Sequence, residues 1–393
     1  MRDWVNLEER HGRGVMGSGY LRRRAAALLV MALPALVGCS GFFVPVNGGG
    51  GGGGGGGASS NNIYVANSVA NSVSGFAVGT GTLKAVPNSP LALGYSPVAM
   101  VVTPSNSFLY VAGSSSINVY PIGTDGSLTV LSGGNTAAVA TVVSLDVSPD
   151  GNWLFGLDGL QQKLDVYQIN TATGGLAVAA AVPYPIADGA WIPRMVRVSP
   201  NGALVFAALG TAGDAIFTFN TATGVAVHSE HLNLATNASD NALAIDSNSA
   251  FLYVARSGVG PGVAVYTIGA GGHIDPVTGS PFAAGTQTYS VVLDSTGKYV
   301  YAANRGDSTI SGYAIGAGGV LTALSGSPYQ SGSQVTSLGR DRSGKYVLAA
   351  AANGAPDLTM YGFSTVTPGA LVKATSVATD TAPAGAIAVA LTH

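Results

Sequence analysis

The chain has 393 residues, 47% of them hydrophobic and only 9% charged, against about 25% charged in an average protein. That aliphatic and aromatic content excludes a disordered chain, and the single cysteine, Cys39, excludes an intramolecular disulfide. Beyond residue 39 there are eleven Lys and Arg against sixteen Asp and Glu, a net charge of −5. Nucleic-acid binding needs a basic stripe, so that class is excluded too.

Taken in chain order, residues 1–15 are unusual for a leader because they carry Glu8 and Glu9, and Met16 makes the cleaner start. Arg22, Arg23 and Arg24 then precede thirteen apolar residues, 25–37. A membrane-spanning helix takes about 20 residues, so this run has the length of a signal-peptide core, with residues 16–38 as the leader. It ends in Leu36-Val37-Gly38-Cys39, which resembles a bacterial lipobox. The resemblance implies cleavage before Cys39, lipid attachment to its sulfur, and anchoring to the cell envelope, with Ser40 favouring the outer membrane. Residues 48–57 are ten consecutive glycines. Residues 39–60 therefore read as an acylated cysteine and a flexible tether, a coil spanning roughly 25 Å.

From residue 61 to 393 the chain repeats. Triplets centred on Tyr64, Tyr110, Phe155, Phe206, Tyr253, Tyr301 and Leu348 recur every 45 to 51 residues. Each is followed by a second β-rich stretch ending in an aromatic residue, from Phe76 to Tyr361. Turns such as Ser148-Pro-Asp-Gly151 and Ser199-Pro-Asn-Gly202 precede the triplets, and "NTATG" or "IGAGG" follows the second stretch. "KYVYAA" and "STISGYAI" alternate with period two, not 3.6. Each unit thus predicts four short antiparallel strands, a to d, and seven units predict an all-β, seven-bladed β-propeller. The first unit lacks a strand a, and the chain finishes with the apolar "GAIAVALTH". That last strand is expected to join blade one and close the ring.

The Tyr-Val anchors, the "SPNG" turns, the "GSPF" and "GSPY" segments and "NRGDSTI" at 304–310 resemble the lactonase-type β-propeller family, which includes 6-phosphogluconolactonases, carboxy-muconate cyclases and envelope proteins with YVTN-type repeats. The resemblance covers residues 61–393. It implies a histidine at the start of one strand a, a Pro-Arg at the same place in the next blade, an acidic residue soon after, and an "NRG" arginine ending a strand b. Pro193-Arg194 and Asn304-Arg305-Gly306 match. Val143 stands where the histidine belongs, and Leu209 and Gly210 occupy the acidic place. The two arginines are two blades apart rather than in adjacent blades, and Arg256 in the intervening blade is one residue out of register.

Strand order puts Arg194 and Arg305 on one rim of the central channel, where a guanidinium can hold a carboxylate, a phosphate or a developing oxyanion. Asp188, Asp307 and Asn304 are the nearest polar candidates, and Trp191 could stack on a sugar. No base is evident. In a regular strand His228 and His231 of "HSEH" face opposite sides, so no metal site is expected there. "GRDRSGK" at 339–345 reads as a solvated turn away from the rim. No cofactor motif is present. The expectation is a monomeric, membrane-anchored envelope protein whose propeller binds a carbohydrate or lactone ligand or an envelope protein partner. The alternative is a divergent lactone hydrolase working through Arg194 and Arg305.

Overall fold

The computed structural model describes residues 60–184 and 191–393. The expected leader, Cys39 and the run of glycines expected to form a tether lie outside these residues, as does Asp188. The described residues form seven antiparallel sheets of four strands each, arranged as the blades of a propeller. The innermost strands are Ala386–Leu391, Ala99–Val102, Val142–Val147, Met195–Val198, Ala238–Ile245, Thr288–Leu293 and Val335–Arg340, for blades 1 to 7. Blade 1 takes its innermost strand from the end of the chain: Ile63 pairs with Leu391 and Val65 with Val389. The ring is therefore closed as the sequence implied.

The anchor triplets sit in the second strands, and their burial explains their composition. Asn62–Asn67, Phe108–Ala112 and Leu204–Ala208 are buried along their whole length. A blade is covered on both faces by its neighbours, so successive side chains enter opposite interfaces. Ile63 and Val65 pack with Leu348 and Ala350 of blade 7. Tyr64 and Ala66 pack with Leu109 and Val111 of blade 2. The core is divided in this way into seven clusters, one per blade interface. Aromatic hydroxyls tie neighbours together: Tyr64 donates to the Gly126 carbonyl at 2.8 Å, Tyr110 to Gly174 at 2.8 Å and Tyr301 to Gly369 at 2.6 Å.

The turn residues have an equally regular task. Directly after each innermost strand a side-chain oxygen accepts the N–H that opens the second strand. Thr103 serves Phe108, Ser148 serves Trp153, Ser199 serves Leu204, Asp246 serves Phe251, Asp294 serves Tyr299, Asp341 serves Tyr346, and Thr392 serves Asn62. The "SP" segments add a two-residue fifth strand to blades 1, 5 and 6. There Ser89, Ser280 and Ser327 accept N–H bonds from Gly75, Val265 and Gly312 of the third strands, at 2.8–2.9 Å.

Candidate functional site

Counting back five residues from each turn oxygen gives one position per blade: Ile387, Val98, Val143, Arg194, Asn241, Tyr289 and Thr336. All seven line a cavity of about 420 Å³ at the end of the channel where the innermost strands begin. The ring is two-sided. Blades 1 to 3 contribute aliphatic side chains, and blades 4 to 7 contribute a guanidinium, an amide, a phenol and a hydroxyl.

Two of the polar members are already committed. Asn241 donates its amide to the Thr288 carbonyl and the Ser257 hydroxyl, both at 2.9 Å. Thr336 donates to the Ala386 carbonyl at 2.8 Å. Arg194 and Tyr289 keep their donors. The Arg194 backbone N–H bonds to the Ala208 carbonyl, 2.9 Å, but its guanidinium has no partner among the described residues, and its Nε is buried. A buried, unpaired cationic N–H is costly, so this is a place where an anionic oxygen would be held firmly.

Arg305 is brought to the same mouth but does not itself line the cavity. Its guanidinium carbon lies 5.1 Å from the Tyr289 ring centroid, a cation–π arrangement. Its backbone N–H donates to the Gln287 carbonyl at 3.0 Å, while the one hydrogen bond of its guanidinium among the described residues is a long one, 3.4 Å to Gln334 Oε1. Tyr289 is thus the wall residue through which Arg305 reaches the mouth.

The other sequence candidates are placed elsewhere. Asn304 is fully buried: its Oδ1 accepts the Gly285 N–H, and its amide donates to Thr309 and Ser311. Asn67 makes the same pair of bonds in blade 1, to Ser72 and Ser74. Asn304 is therefore a structural part of the repeat and has no donor left for a ligand. Asp307 is turned to the Thr286 N–H and hydroxyl, which hold its carboxyl below the usual carboxylate range. Trp191 stands edge-on to Tyr184, with centroids 6.4 Å apart, and is not a wall of the cavity. No carboxylate or imidazole is among the described walls of this mouth.

Asn241, Tyr289 and Thr336 were missed in the sequence. The five-residue offset that located Arg194 and Val143 would have found them had it been carried around the ring.

Beside Asn241 lies a buried charged cluster. Arg256 grips Asp240 through two bonds, 2.6 and 2.7 Å, and reaches the Tyr266 hydroxyl at 2.8 Å. The out-of-register arginine is thus a structural one. Asp214 is fully buried beside this pair, and neither of its oxygens accepts a bond from a described donor. Burial, then repulsion by Asp240, pushes its carboxyl well above the usual range.

One further expectation changes. A bulge in blade 4 pairs His231 with Ala215 and His228 with Phe217, so both imidazoles lie on one face rather than on opposite faces. Burial, first of all, lowers both. No third metal-ligating side chain joins them among the described residues. The "GRDRSGK" turn is solvated and away from the Arg194 rim as expected, with Arg340, Arg342 and Lys345 exposed, and Arg340, Asp341 and Arg342 also line a second cavity at the opposite end of the channel.

No protein-family model matches this chain, and neither does any curated protein. Solved structures do. A candidate 6-phosphogluconolactonase from Bacteroides uniformis superposes with a TM-score of 0.71 at 17% identity, over 84% of this chain and 99% of that one. A similar candidate from Bacteroides fragilis gives 0.70 at 17% identity, over 85% and 98%. The periplasmic gluconolactonase of Pseudomonas aeruginosa gives 0.69 at 16% identity, over 85% and 99%. At such identities the likeness establishes the fold, a lactonase-like seven-bladed propeller.

Proposed function

We propose that the Arg194–Tyr289 mouth binds a small sugar acid or its lactone, and that the chain serves as a ligand-binding propeller of the cell envelope. The observation that carries this reading is the part-buried Arg194 guanidinium, without a partner among the described residues, in a wall that is apolar on one side and polar on the other. A carboxylate or lactone carbonyl would take the guanidinium. Hydroxyls would meet Tyr289, and the carbon face would lie on Ile387, Val98 and Val143.

Hydrolysis of the lactone is the second reading, favoured by the structural likeness to a gluconolactonase. Water would add to the lactone carbonyl carbon, and the ring C–O bond would break to leave a carboxylate and a hydroxyl. Arg194 would stabilise the oxyanion as it forms. With no carboxylate or imidazole among the described walls, the proton would leave through solvent, and the rate enhancement would be modest. Likeness to a periplasmic protein and the lipobox-like Cys39 both support an envelope location. Palmitate labelling lost in Cys39→Ser would test the anchor.

The deciding experiment measures gluconolactone hydrolysis and gluconate binding by the full chain, with Arg194→Ala and Arg305→Ala. Gluconate binding lost in Arg194→Ala, with lactone opening at the spontaneous rate, supports a binding module. A rate above background that falls in Arg194→Ala supports the hydrolase. Neither binding nor turnover in the wild type would overturn both readings.

A further inference from the structure

The mouth opposite Arg194 holds the larger cavity, about 680 Å³, where the innermost strands end. The two cavities share Met100, Arg197 and Val389 as walls, so Arg197 stands between them in the channel. Beyond residue 39 the chain has six arginines, and four of them, Arg194, Arg197, Arg340 and Arg342, line one cavity or the other. Beyond residue 39, a stretch so poor in charge gathers most of its guanidinium groups around the channel axis.

Acidic side chains line this mouth too, so the balance of donors and acceptors decides its character. Asp294 accepts four bonds from its own hairpin: the N–H groups of Thr296, Lys298 and Tyr299, and the Thr296 hydroxyl. Asp341 accepts from the N–H groups of Ser343 and Tyr346, the Ser343 hydroxyl and the Asn61 amide. Asp246 accepts the N–H groups of Asn248, Ala250 and Phe251. These carboxylates are the turn oxygens of the fold, and their charge is held by backbone N–H dipoles. His393 is likewise fixed, through its N–H and carbonyl, to Asn106.

The Arg197 and Arg340 guanidinium groups are not used up by the described residues. Each has five N–H donors. Among the described residues Arg340 gives one, from Nη1 to the Asp294 carbonyl at 3.2 Å. Arg197 makes one ion pair, Nη1 to Asp146 Oδ1 at 3.5 Å, and its side chain is 40% exposed. Asp146 is also committed, accepting the Val198 N–H at 2.8 Å. Burial, the largest influence, pushes its carboxyl up despite Arg197. The mouth therefore offers unused donors and saturated acceptors, between aliphatic walls such as Leu243, Val291 and Leu338.

We infer that this second mouth is an anion site, in which Arg197 and Arg340 hold a carboxylate or phosphate group of a small ligand. It shares the Arg197 wall with the Arg194 mouth, but the observations that carry it are independent of what binds there. Bidentate N–H···O pairing suits both oxyanions.

The test is calorimetric titration of the full chain with inorganic phosphate and, separately, gluconate at low salt. The variants are Arg197→Gln, Arg340→Gln and Arg194→Gln, each with its melting temperature checked. The expected result is phosphate binding that weakens tenfold or more in Arg197→Gln and in Arg340→Gln, and for gluconate a binding component that survives Arg194→Gln and weakens in those two variants. Arg340→Lys, which keeps the charge but loses the fork, should fall between and covers the case in which the glutamine variant does not fold. A preference for phosphate or for gluconate identifies which oxyanion the site takes. Absence of binding by the wild type at millimolar anion, or affinities unchanged in both variants, would overturn the inference. Loss of binding in Arg194→Gln alone would place the anion at the first mouth and leave this one without a ligand.

Discussion

Asn304 and Arg305 are chain neighbours whose side chains answer to different demands. Asn304 is sealed in blade 6 by three hydrogen-bond partners. The Arg305 guanidinium lies on the Tyr289 ring with one weak bond to a described residue. Asn304→Ala should therefore cost about 2 kcal/mol, the range for stranding buried polar partners, and lower the urea midpoint. Arg305→Ala should leave that midpoint within about 0.5 kcal/mol and show its effect in gluconate affinity. Equal stability losses in the two variants would contradict this division. Asp214 gives a prediction in pH. Its carboxyl is protonated in the fold to a pH well above the value at which it ionises in the unfolded chain. The folded state thus holds the extra proton, and stability contributed by this residue is full at acid pH and falls as pH rises towards the folded pKa. Asp214→Asn should flatten that fall and stabilise the protein at pH 8 by about 1–3 kcal/mol. Thermal melts of both proteins from pH 5 to 9 would check it, and parallel curves would refute it. The site was legible in the sequence only where a residue type was unusual. Arg194 and Arg305 stand out in a chain with few charges, whereas Tyr289 and Thr336 look like ordinary strand residues until the ring position is known.

At the level of the strand and its turn, nearly everything was legible, because period-two alternation and turn chemistry are local. The second strands were found as apolar triplets since both of their faces are buried. The turn residues Ser148 and Ser199 were found too, and the structure adds what they do: each accepts the N–H that starts the next strand. Asp294 performs the same task with four accepted bonds, so Asp294→Ala should be the more damaging change. We expect a loss of about 2–3 kcal/mol for Asp294→Ala and about 1 kcal/mol for Ser199→Ala, read from urea denaturation, and the reverse order would count against the saturated-acceptor account. The bulge in blade 4 was not legible. One extra residue, Ser229, changes which face a side chain takes, and nothing in "HSEH" marks it. The cations of the turn at 339–345 are exposed, as read, but their place in the channel was not legible: only the convergence of five other blades makes Arg340 and Arg342 walls of a cavity as well.

At the scale of the whole ring the decisive contact is the one between residues farthest apart in the chain. Strand Ala386–Leu391 pairs with Asn62–Asn67, and Thr392 accepts the Asn62 N–H as the turn oxygens do in the six other blades. Here the turn is replaced by two chain segments, so nothing covalent holds the pair together. The strand also supplies walls to both mouths: Ile387 to the first, Leu391 to the second, Val389 to both. A chain ending at residue 385 would expose one edge of blade 1, leave the Ile63 side of its core without Ala386, and open the channel along its length. The loss of several ladder hydrogen bonds at about 1 kcal/mol each, with the apolar surface the strand covers, should destabilise by more than about 5 kcal/mol. That is a large part of a typical folding free energy. The truncated chain should unfold at markedly lower urea with a broader transition, and should bind neither gluconate nor phosphate. A peptide of residues 385–393 added in trans should restore part of both properties, because the edge it pairs with is otherwise intact. An unchanged midpoint after truncation would mean that the interfaces between blades hold the ring without its closing strand. Lost stability with no rescue by the peptide would mean that blade 1 itself does not form until the two ends of the chain have met.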